Sequence, residues 1–353
     1  MAKLLDKTIE EALKKGTIIP AHPLALTASL QLDEQYQRLL TKYYIASGAG
    51  GIAVGVHTTQ FAIRHPDVNL LEPVLSIAAE EISKSALKKP FIKVAGICGP
   101  EKQALAEAAL ANKYEYHLGL LSLGGLNHYS DAALIAHVKA VAAEIPVIGF
   151  YLQPAVGGRL LSYEFWRAFA EIPNVKAIKV AAFNRYQTLD VVRAVCNSGR
   201  CDDITLYTGN DDNIIADLLT PYRFNINGKV VEKRFVGGLL GHWAVWTQKA
   251  NPLLESIKKC IAENHQGIET LLAKNVHVTD MNAAIFDSAN GFHGCIAGIH
   301  EVLYRQGLMR GKWCLDPNET LSPGQYEEIN RVCNDYPSLT DDDFVKEFLS
   351  TNL

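Results

Sequence analysis

The chain has 353 residues and a formal net charge of −4, from 34 basic and 38 acidic residues. Hydrophobic residues make up 48% of it, which is enough for a large folded core and argues against disorder. The near balance of charge gives no electrostatic reason to expect nucleic acid or an anionic membrane as a partner.

Seven cysteines are scattered singly along the chain, and no C-x-x-C pair occurs. This usage is typical of reduced thiols in a cytosolic protein and does not predict a structural zinc site. The charged, helix-like segment 1–16 lacks the apolar region of a signal peptide, and no apolar run is long enough to span a bilayer. We therefore expect a cytoplasmic protein that makes no membrane contact.

Short apolar runs alternate with longer amphipathic runs along the chain, a pattern that predicts strands followed by helices. The predicted strands lie at 17–20, 52–54, 91–95, 116–121, 147–151, 175–180, 205–207 and 235–240. Repeated βα units imply a parallel sheet. Eight units within the first 240 residues fit a closed (β/α)8 TIM barrel better than an open doubly wound sheet.

Two segments depart from a plain barrel. The pair Asn227-Gly228 between apolar alternations predicts a hairpin in an α-to-β connection, which we interpret as a structural insertion. After the eighth strand, helices are predicted over 244–264, 267–273, 280–288, 293–306, 323–333 and 341–349. We therefore predict a barrel over 1–245 that carries the active site, and a C-terminal helical appendage over 246–353 packed on it.

Two patterns suggest cofactor or metal chemistry. The glycine-rich segment 48–51 follows a predicted helix and precedes a strand, the reverse of a phosphate-binding loop, so a helix end and tight turn are favoured. His22, His57 and His242 lie at or just past predicted strand ends, where a barrel could gather them. A metal-dependent barrel is therefore one alternative, although the carboxylates that such a site needs are not evident beside them.

Two lysines lie inside apolar strands. Lys179, in Ile178-Lys179-Val180, falls near the C-terminal end of the sixth strand, where barrel active sites lie. Apolar neighbours desolvate an amine and lower its pKa, which makes it a nucleophile. Lys93 on the third strand repeats the Ile-Lys-Val context, and periodicity alone cannot separate the two.

Polar residues follow two other strands. Tyr151 ends the fifth strand, and its hydroxyl would reach the barrel mouth one strand from Lys179. Thr58 and Thr59 follow the second strand, where paired hydroxyls and amides can hold a small carboxylate. Each of these signals alone is weak, since rim aromatics and threonine turns are common.

Taken together, these residues resemble the dihydrodipicolinate synthase/N-acetylneuraminate lyase superfamily. That family has a Gly-Thr-Thr-Gly-Glu-type loop after strand two, a Tyr-Asn-x-Pro segment ending strand five and an Ile-Lys segment on strand six. The chain has Thr58-Thr59, Tyr151-Leu152-Gln153-Pro154 and Ile178-Lys179 in that order. The turn Thr208-Gly209-Asn210-Asp211-Asp212 is similar to the Ser-Gly-Asp-Asp turn after strand seven. The resemblance covers most of residues 15–335 and favours Lys179 over Lys93.

The resemblance implies a class I aldolase or lyase that needs no metal or organic cofactor. Lys179 would form a Schiff base with pyruvate or another 2-oxo acid, and Tyr151 would move protons. Thr58 and Thr59 would hold the carboxylate, and the backbone of Gly237 would face the 2-oxo acid. The second substrate would be an unidentified aldehyde, and the family habit implies a homo-oligomer, a tetramer or a dimer.

Some family residues are missing. The family has a pair of tyrosines after strand four, whereas this chain has no tyrosine around Ser122. The family also has an arginine just after the strand-five motif, where this chain has Val156, and the nearest arginine is Arg159. Whether Ser122, Gln153 or Arg159 takes over these roles is open. We therefore expect a 2-oxo-acid aldolase other than dihydrodipicolinate synthase itself. A catalytically inactive barrel that binds a small ligand is a further alternative.

Overall fold

The computed structural model describes residues 3–353, and all eight predicted barrel strands are present in it, together with a hairpin. The strands are β1 Ile18–Pro20, β2 Gly51–Val54, β3 Ile92–Ile97, β4 Leu118–Ser122, β5 Val147–Leu152, β6 Val175–Ala181, β7 Thr205–Thr208, β8 Tyr222–Ile226, β9 Lys229–Lys233 and β10 Phe235–Leu240.

Helices separate most of these strands and fill the C-terminal third of the described chain. They are α1 Lys7–Lys15, α2 Glu34–Ala46, α3 Leu71–Lys84, α4 Glu101–Lys113, α5 Asp131–Glu144, α6 Tyr163–Ala170, α7 Arg185–Cys196, α8 Ile214–Leu219, α9 Thr247–Ala262, α10 Ile268–Ile285, α11 Cys295–Arg305, α12 Gln325–Asp335 and α13 Asp342–Asn352. Within residues 3–353, no helix is long and apolar enough to cross a membrane.

The strand order is β1-β10-β7-β6-β5-β4-β3-β2, and the registered pairs in this sheet are parallel. A parallel bridge between Ala21 and Ala53 joins β1 to β2, the two ends of that order. The predicted (β/α)8 barrel is therefore confirmed. Near-continuous apolar strands explain this sheet, because parallel strands are covered on both faces.

Contacts divide the chain into two compact units. Of the described residues, the first unit contains 3–17 and Ile92–Leu239, and the second contains Ile18–Phe91 and Leu240–Leu353. The first unit holds β3 to β7, most of β10 and the β8–β9 hairpin, whereas the second holds β1, β2 and the helices from α9 onward. The division at residue 245 that the sequence suggests stays a prediction.

The hairpin prediction is confirmed. Strands β8 and β9 pair antiparallel, and Asn227 and Gly228 between them have φ values of 51° and 79°. Both residues are in the left-handed region, as a two-residue turn of this type requires.

One predicted pair of helices is wrong. The segments 267–273 and 280–288 belong largely to one helix, α10, followed by a short 3₁₀ turn at Ser288–Asn290. The intervening sequence is rich in β-branched residues, which have a low helix propensity. Val278 and Met281 are buried in this helix, so packing overrides the local preference.

Candidate active site

A single row of residues crosses five neighbouring strands of the first unit. Ser122 is in register with Phe150, Phe150 with Lys179, Lys179 with Tyr207, and Tyr207 with Gly237. Side chains in register on parallel strands point to the same face of the sheet. We call these five residues the register row. Lys179 is the fifth of the seven residues of β6, and thus lies toward its C-terminal end.

Lys179 is buried and its amine rests on an aromatic ring. The side chain is 7% exposed, and Nζ lies 4.3 Å from the centroid of the Phe150 ring. Burial lowers the pKa of Lys179 from 10.5 to about 8, while the negative charge of Asp211 opposes that change. At pH 7 roughly one such amine in ten would be neutral, several hundred times more than for an ordinary lysine.

The turn after β7 packs against the Lys179 side chain. The Gly209 amide donates to the Val180 carbonyl, with an N–O distance of 2.6 Å. A Cβ on Gly209 would lie 2.6 Å from Lys179 Cε and 2.9 Å from the Cβ of Ala181. Only glycine therefore lets the turn approach the lysine this closely.

A buried carboxylate, Asp217, fixes this turn. Its Oδ2 accepts hydrogen bonds from Thr208 Oγ1 at 2.8 Å and from Asn210 Nδ2 at 2.9 Å. Its Oδ1 accepts from the Tyr222 hydroxyl at 3.0 Å and also from Arg185. Thr208 and Asn210 flank Gly209, so the carboxylate holds the turn on both sides of the lysine contact.

Sequence reasoning recognised the Thr208–Asp212 turn but gave no role to Asp217, which lies on α8. Asp217 is fully buried, and its charge is compensated by Arg185 and by neutral donors. A charged residue in the otherwise apolar helix Ile-Ile-Ala-Asp-Leu-Leu was the available signal, because buried carboxylates are rare without partners.

Lys93, the alternative lysine, has different surroundings. It is the second residue of β3, toward the N-terminal end of that strand, and its Nζ donates to the Tyr114 carbonyl at 3.3 Å. Burial also lowers the pKa of Lys93, by an amount that Glu115 partly offsets. Since barrel chemistry occurs at the C-terminal strand ends, the position of Lys179 fits a catalytic amine better.

The structure does not bring Tyr151 together with Lys179. Tyr151 is in register with Val180, so its side chain points to the face opposite that of Lys179. The Tyr151 ring lies 5.3 Å from that of Trp166 on α6, and the hydroxyl lies 3.4–3.5 Å from the amide nitrogen and carbonyl oxygen of Leu161. Burial raises the pKa of Tyr151. Its role in proton transfer stays a prediction.

Thr58 and Thr59 lie in the second unit, in a short 3₁₀ turn. The Thr59 hydroxyl donates to the His22 carbonyl at 2.6 Å and accepts from the amides of Gly55 and Val56. It is therefore engaged in holding the turn. Thr58 is buried beside it, and its role in binding a carboxylate stays a prediction.

Gly237 is tightly enclosed. A Cβ on this residue would lie 2.3 Å from the Thr17 carbonyl oxygen and 2.9 Å from Cε1 of Tyr207. Close packing thus explains the glycine, and a contact between its backbone and a 2-oxo acid stays a prediction.

Arg159 is already engaged within the first unit. Its guanidinium donates to the carbonyl of Leu126 at 2.6 Å and to that of Tyr129 at 3.4 Å, which ties it to the segment after β4. Ser122, in the register row, is buried and accepts weakly from the Gly124 amide at 3.4 Å. Gln153 is buried just past the end of β5. The Arg159 guanidinium is thus bound to backbone carbonyls, and Ser122 and Gln153 carry no positive charge that could replace it.

The histidine alternative finds little support. Both ring nitrogens of His22 contact protein atoms, Nδ1 at 2.8 Å from the Pro23 carbonyl and Nε2 at 2.9 Å from Thr41 Oγ1. Burial lowers the pKa of His22 and that of His242 to about 4. Across residues 3–353, no group of three or more His, Cys, Asp or Glu side chains could hold a metal ion.

Comparisons with known proteins bear on both fold and sequence. No protein-family model matches the chain. The 4-hydroxy-tetrahydrodipicolinate synthase of Caldicellulosiruptor bescii is 34% identical over 159 residues, which cover 43% of this chain and 48% of that protein. The enzyme of the same name from Bifidobacterium longum is 26% identical over 210 residues, 58% of this chain and 64% of that protein. The chain thus spans about half to two thirds of these curated relatives.

Solved structures match more of the chain at lower identity. Dihydrodipicolinate synthase from Oceanobacillus iheyensis has a TM-score of 0.71 at 17% identity and covers 93% of this chain and 99% of its own. The Acinetobacter baumannii synthase complexed with pyruvate has a TM-score of 0.72 at 18% identity, covering 91% and 98%. N-acetylneuraminate lyase from Fusobacterium nucleatum has a TM-score of 0.69 at 16% identity, covering 92% and 99%. These neighbours share the (β/α)8 barrel.

The chain is thus a (β/α)8-barrel protein with a buried lysine toward the C-terminal end of its sixth strand. The chain is similar in sequence over part of its length, and in fold over most of it, to members of the dihydrodipicolinate synthase/N-acetylneuraminate lyase superfamily.

Proposed function

We propose that this protein is a Schiff-base-forming carbon–carbon lyase, a class I aldolase, that acts on pyruvate or a related 2-oxo acid. The observation that carries the proposal is the Lys179 amine, which is buried on the Phe150 ring with its pKa lowered to about 8. Similarity to proteins named 4-hydroxy-tetrahydrodipicolinate synthase and N-acetylneuraminate lyase supports the same chemistry.

In the proposed reaction, neutral Lys179 attacks the ketone carbon, and the resulting carbinolamine loses water to give an imine. The imine accepts electrons from the neighbouring carbon–carbon or carbon–hydrogen bond, so the proposal requires no metal or organic cofactor. Thr58 and Thr59 are proposed to bind the carboxylate, and the Gly237 backbone to face the 2-oxo acid. The resemblance assigns the proton transfers to Tyr151.

The second substrate is proposed to be an aldehyde other than aspartate semialdehyde. Ser122 stands where the synthase has a tyrosine, and the nearby Arg159 guanidinium is bound to two carbonyl oxygens. A second carboxylate would therefore lack its cationic partner, and burying it unpaired is costly.

We also propose that the protein forms a homo-oligomer. Light scattering of the purified protein tests this proposal.

Reductive trapping tests the proposal. The protein is incubated with pyruvate and a set of other 2-oxo acids, reduced with borohydride, and analysed by intact mass and peptide mapping. We expect one adduct, on Lys179. Lys179→Arg should take up none, because guanidinium does not deprotonate in proteins. Lys93→Arg is the matched control and should trap as the parent does.

The outcomes separate the alternatives. An adduct on Lys93 would keep the reaction class and overturn the site. The absence of any adduct in folded protein would overturn the proposed function in favour of a barrel that only binds a ligand, or of metal-dependent catalysis. Metal analysis of the purified protein would then separate these two.

A further inference from the structure

We propose that Asp211 is the acid–base residue that exchanges protons with Lys179 and with the 2-oxo acid bound to it. The inference rests on the proposed function and replaces Tyr151, to which the resemblance assigns these proton transfers. Tyr151, the residue that the resemblance suggests, points to the opposite face of the sheet and contacts Trp166 and Leu161. Proton transfer to the Lys179 amine therefore requires a group on the same face of the sheet as Lys179.

Asp211 belongs to the turn that packs on the lysine. Its amide donates to the Gly209 carbonyl at 3.1 Å, and Gly209 is the residue that leaves no room for a Cβ beside Lys179 Cε. Both charged side chains are buried, with 8% of Asp211 and 7% of Lys179 exposed. A carboxylate and an amine that are buried in one site interact more strongly than they would in water.

Side-chain hydrogen bonds hold the turn Thr208–Asp212 in place. Asp217 receives hydrogen bonds from Thr208 and Asn210, and Asn210 Oδ1 accepts from the Phe183 amide at 3.0 Å. These contacts tie the turn to α8 and to the segment that follows β6. The backbone on the N-terminal side of Asp211 is therefore fixed by hydrogen bonds, and acid–base catalysis requires groups in fixed positions.

The neighbouring strands place uncharged side chains beside Lys179. The register partner on β5 is Phe150, and the one on β7 is Tyr207, whose hydroxyl donates to the Leu13 carbonyl at 2.9 Å. In the adjoining turn, Asp212 interacts with Arg185. The negative charge of Asp211 acts on the Lys179 amine and raises its pKa, against the larger effect of burial.

The protons balance from the Lys179 ammonium to the enamine, at which stage Asp211 holds the proton that it returns to C3 in the exchange reaction. Asp211 carboxylate removes a proton from the Lys179 ammonium, and the neutral amine adds to the ketone carbon to form a carbinolamine. Protonated Asp211 then gives its proton to the hydroxyl, which leaves as water as the iminium forms. The carboxylate finally takes a proton from C3 of the iminium to give the enamine. The C–O bond is broken, the C–N bond is formed, and nothing is oxidised or reduced.

The test uses pyruvate, or the 2-oxo acid that is trapped best, and the variant Asp211→Asn. Two quantities are measured: the pH midpoint of reductive trapping on Lys179, and the exchange of the C3 hydrogens with deuterated water by NMR. Removing the negative charge makes the ammonium less stable, so the midpoint should fall by roughly one pH unit. Exchange should slow by about 10²–10⁴-fold, the usual contribution of an acid–base group.

Asp212→Asn is the matched control, since it removes the neighbouring charge from the same turn. It should keep the parental midpoint and exchange rate. Asp211→Ser is measured beside Asp211→Asn, so that a folding failure of one variant does not leave the question open. More trapping at low pH together with slower exchange is a combination that a purely structural role of Asp211 cannot produce.

Parental values for both Asp211 variants would overturn the inference, and so would an equal reduction of trapping and exchange at every pH with no change in midpoint. Neither result would affect the proposed function, provided that the parent protein traps a 2-oxo acid on Lys179. If the parent traps none, the proposed function itself fails.

Discussion

Lys179 and Phe150 lie opposite each other on β6 and β5, with the lysine Nζ 4.3 Å from the centroid of the phenylalanine ring. The face of an aromatic ring attracts a cation, so Phe150 stabilises the ammonium. Burial acts in the opposite direction and is the larger effect, because the pKa of Lys179 is lowered to about 8. The Lys179 amine can therefore change between its charged and neutral forms near pH 8.

Phe150→Leu should lower the pH midpoint of reductive trapping below its expected parental value of about 8. Leucine keeps the surroundings apolar but removes a cation–π attraction of about 0.5–2 kcal/mol, or roughly 0.4–1.5 pH units. Trapping rates with pyruvate from pH 6 to 9 measure the midpoint. Phe165→Leu, in α6, is the control and should leave it unchanged. A rise of the midpoint in Phe150→Leu would contradict this account of the site.

Gly209→Ala should abolish trapping on Lys179 while the protein still folds. The added Cβ would lie 2.6 Å from Lys179 Cε, so either the lysine or the turn must move. Overpacking of this kind costs about 1–3 kcal/mol, which thermal unfolding measures. Gly199→Ala is the control, because its Cβ would meet only the end of the Glu171 side chain at 3.3 Å. Parental trapping by Gly209→Ala would show that the close approach has no role.

The barrel could be predicted from the sequence because each strand is a short apolar run and each intervening helix has a regular period. The position of Lys179 followed from the same pattern together with the superfamily resemblance. The Asn227-Gly228 hairpin could be predicted because that pair favours the left-handed turn that a two-residue hairpin needs.

The direction of the Tyr151 side chain could not be predicted in the same way. Between Val147 and Ile148 the pairing of β5 with β6 shifts, so that Phe150 rather than Tyr151 is opposite Lys179. A shift of one residue exchanges the faces of a strand, and it leaves no mark in the sequence spacing. The Asp217 network could not be predicted for a related reason, since its partners lie on α7, β7 and β8 and in the turn after β7, and only the folded chain brings them together.

Tyr151→Phe should leave C3–hydrogen exchange of pyruvate within about threefold of the parent, because general acid–base groups that matter contribute about 10²–10⁴-fold. The lost hydroxyl has only two long contacts, at 3.4–3.5 Å, with Leu161. The free energy of unfolding should therefore change by less than about 1 kcal/mol. If exchange instead falls by the larger factor, proton transfer belongs to Tyr151, and its side chain must leave the face that it now shares with Trp166.

Lys179→Met should lose trapping and make the protein more stable at pH 7. The pKa of Lys179 is lowered from 10.5 to about 8 on folding, so the unfolded chain binds more protons than the folded one between these values. The burial of the amine therefore costs stability below pH 8, and the cost disappears as the pH rises past 10.5. We expect a gain of about 1–3 kcal/mol at pH 7 that shrinks toward pH 10, measured by urea unfolding at both values. Lys93→Met is the comparison variant, because the Lys93 amine donates a hydrogen bond to the Tyr114 carbonyl. A gain for Lys179→Met that stays constant with pH would mean that the amine is not desolvated in the folded protein.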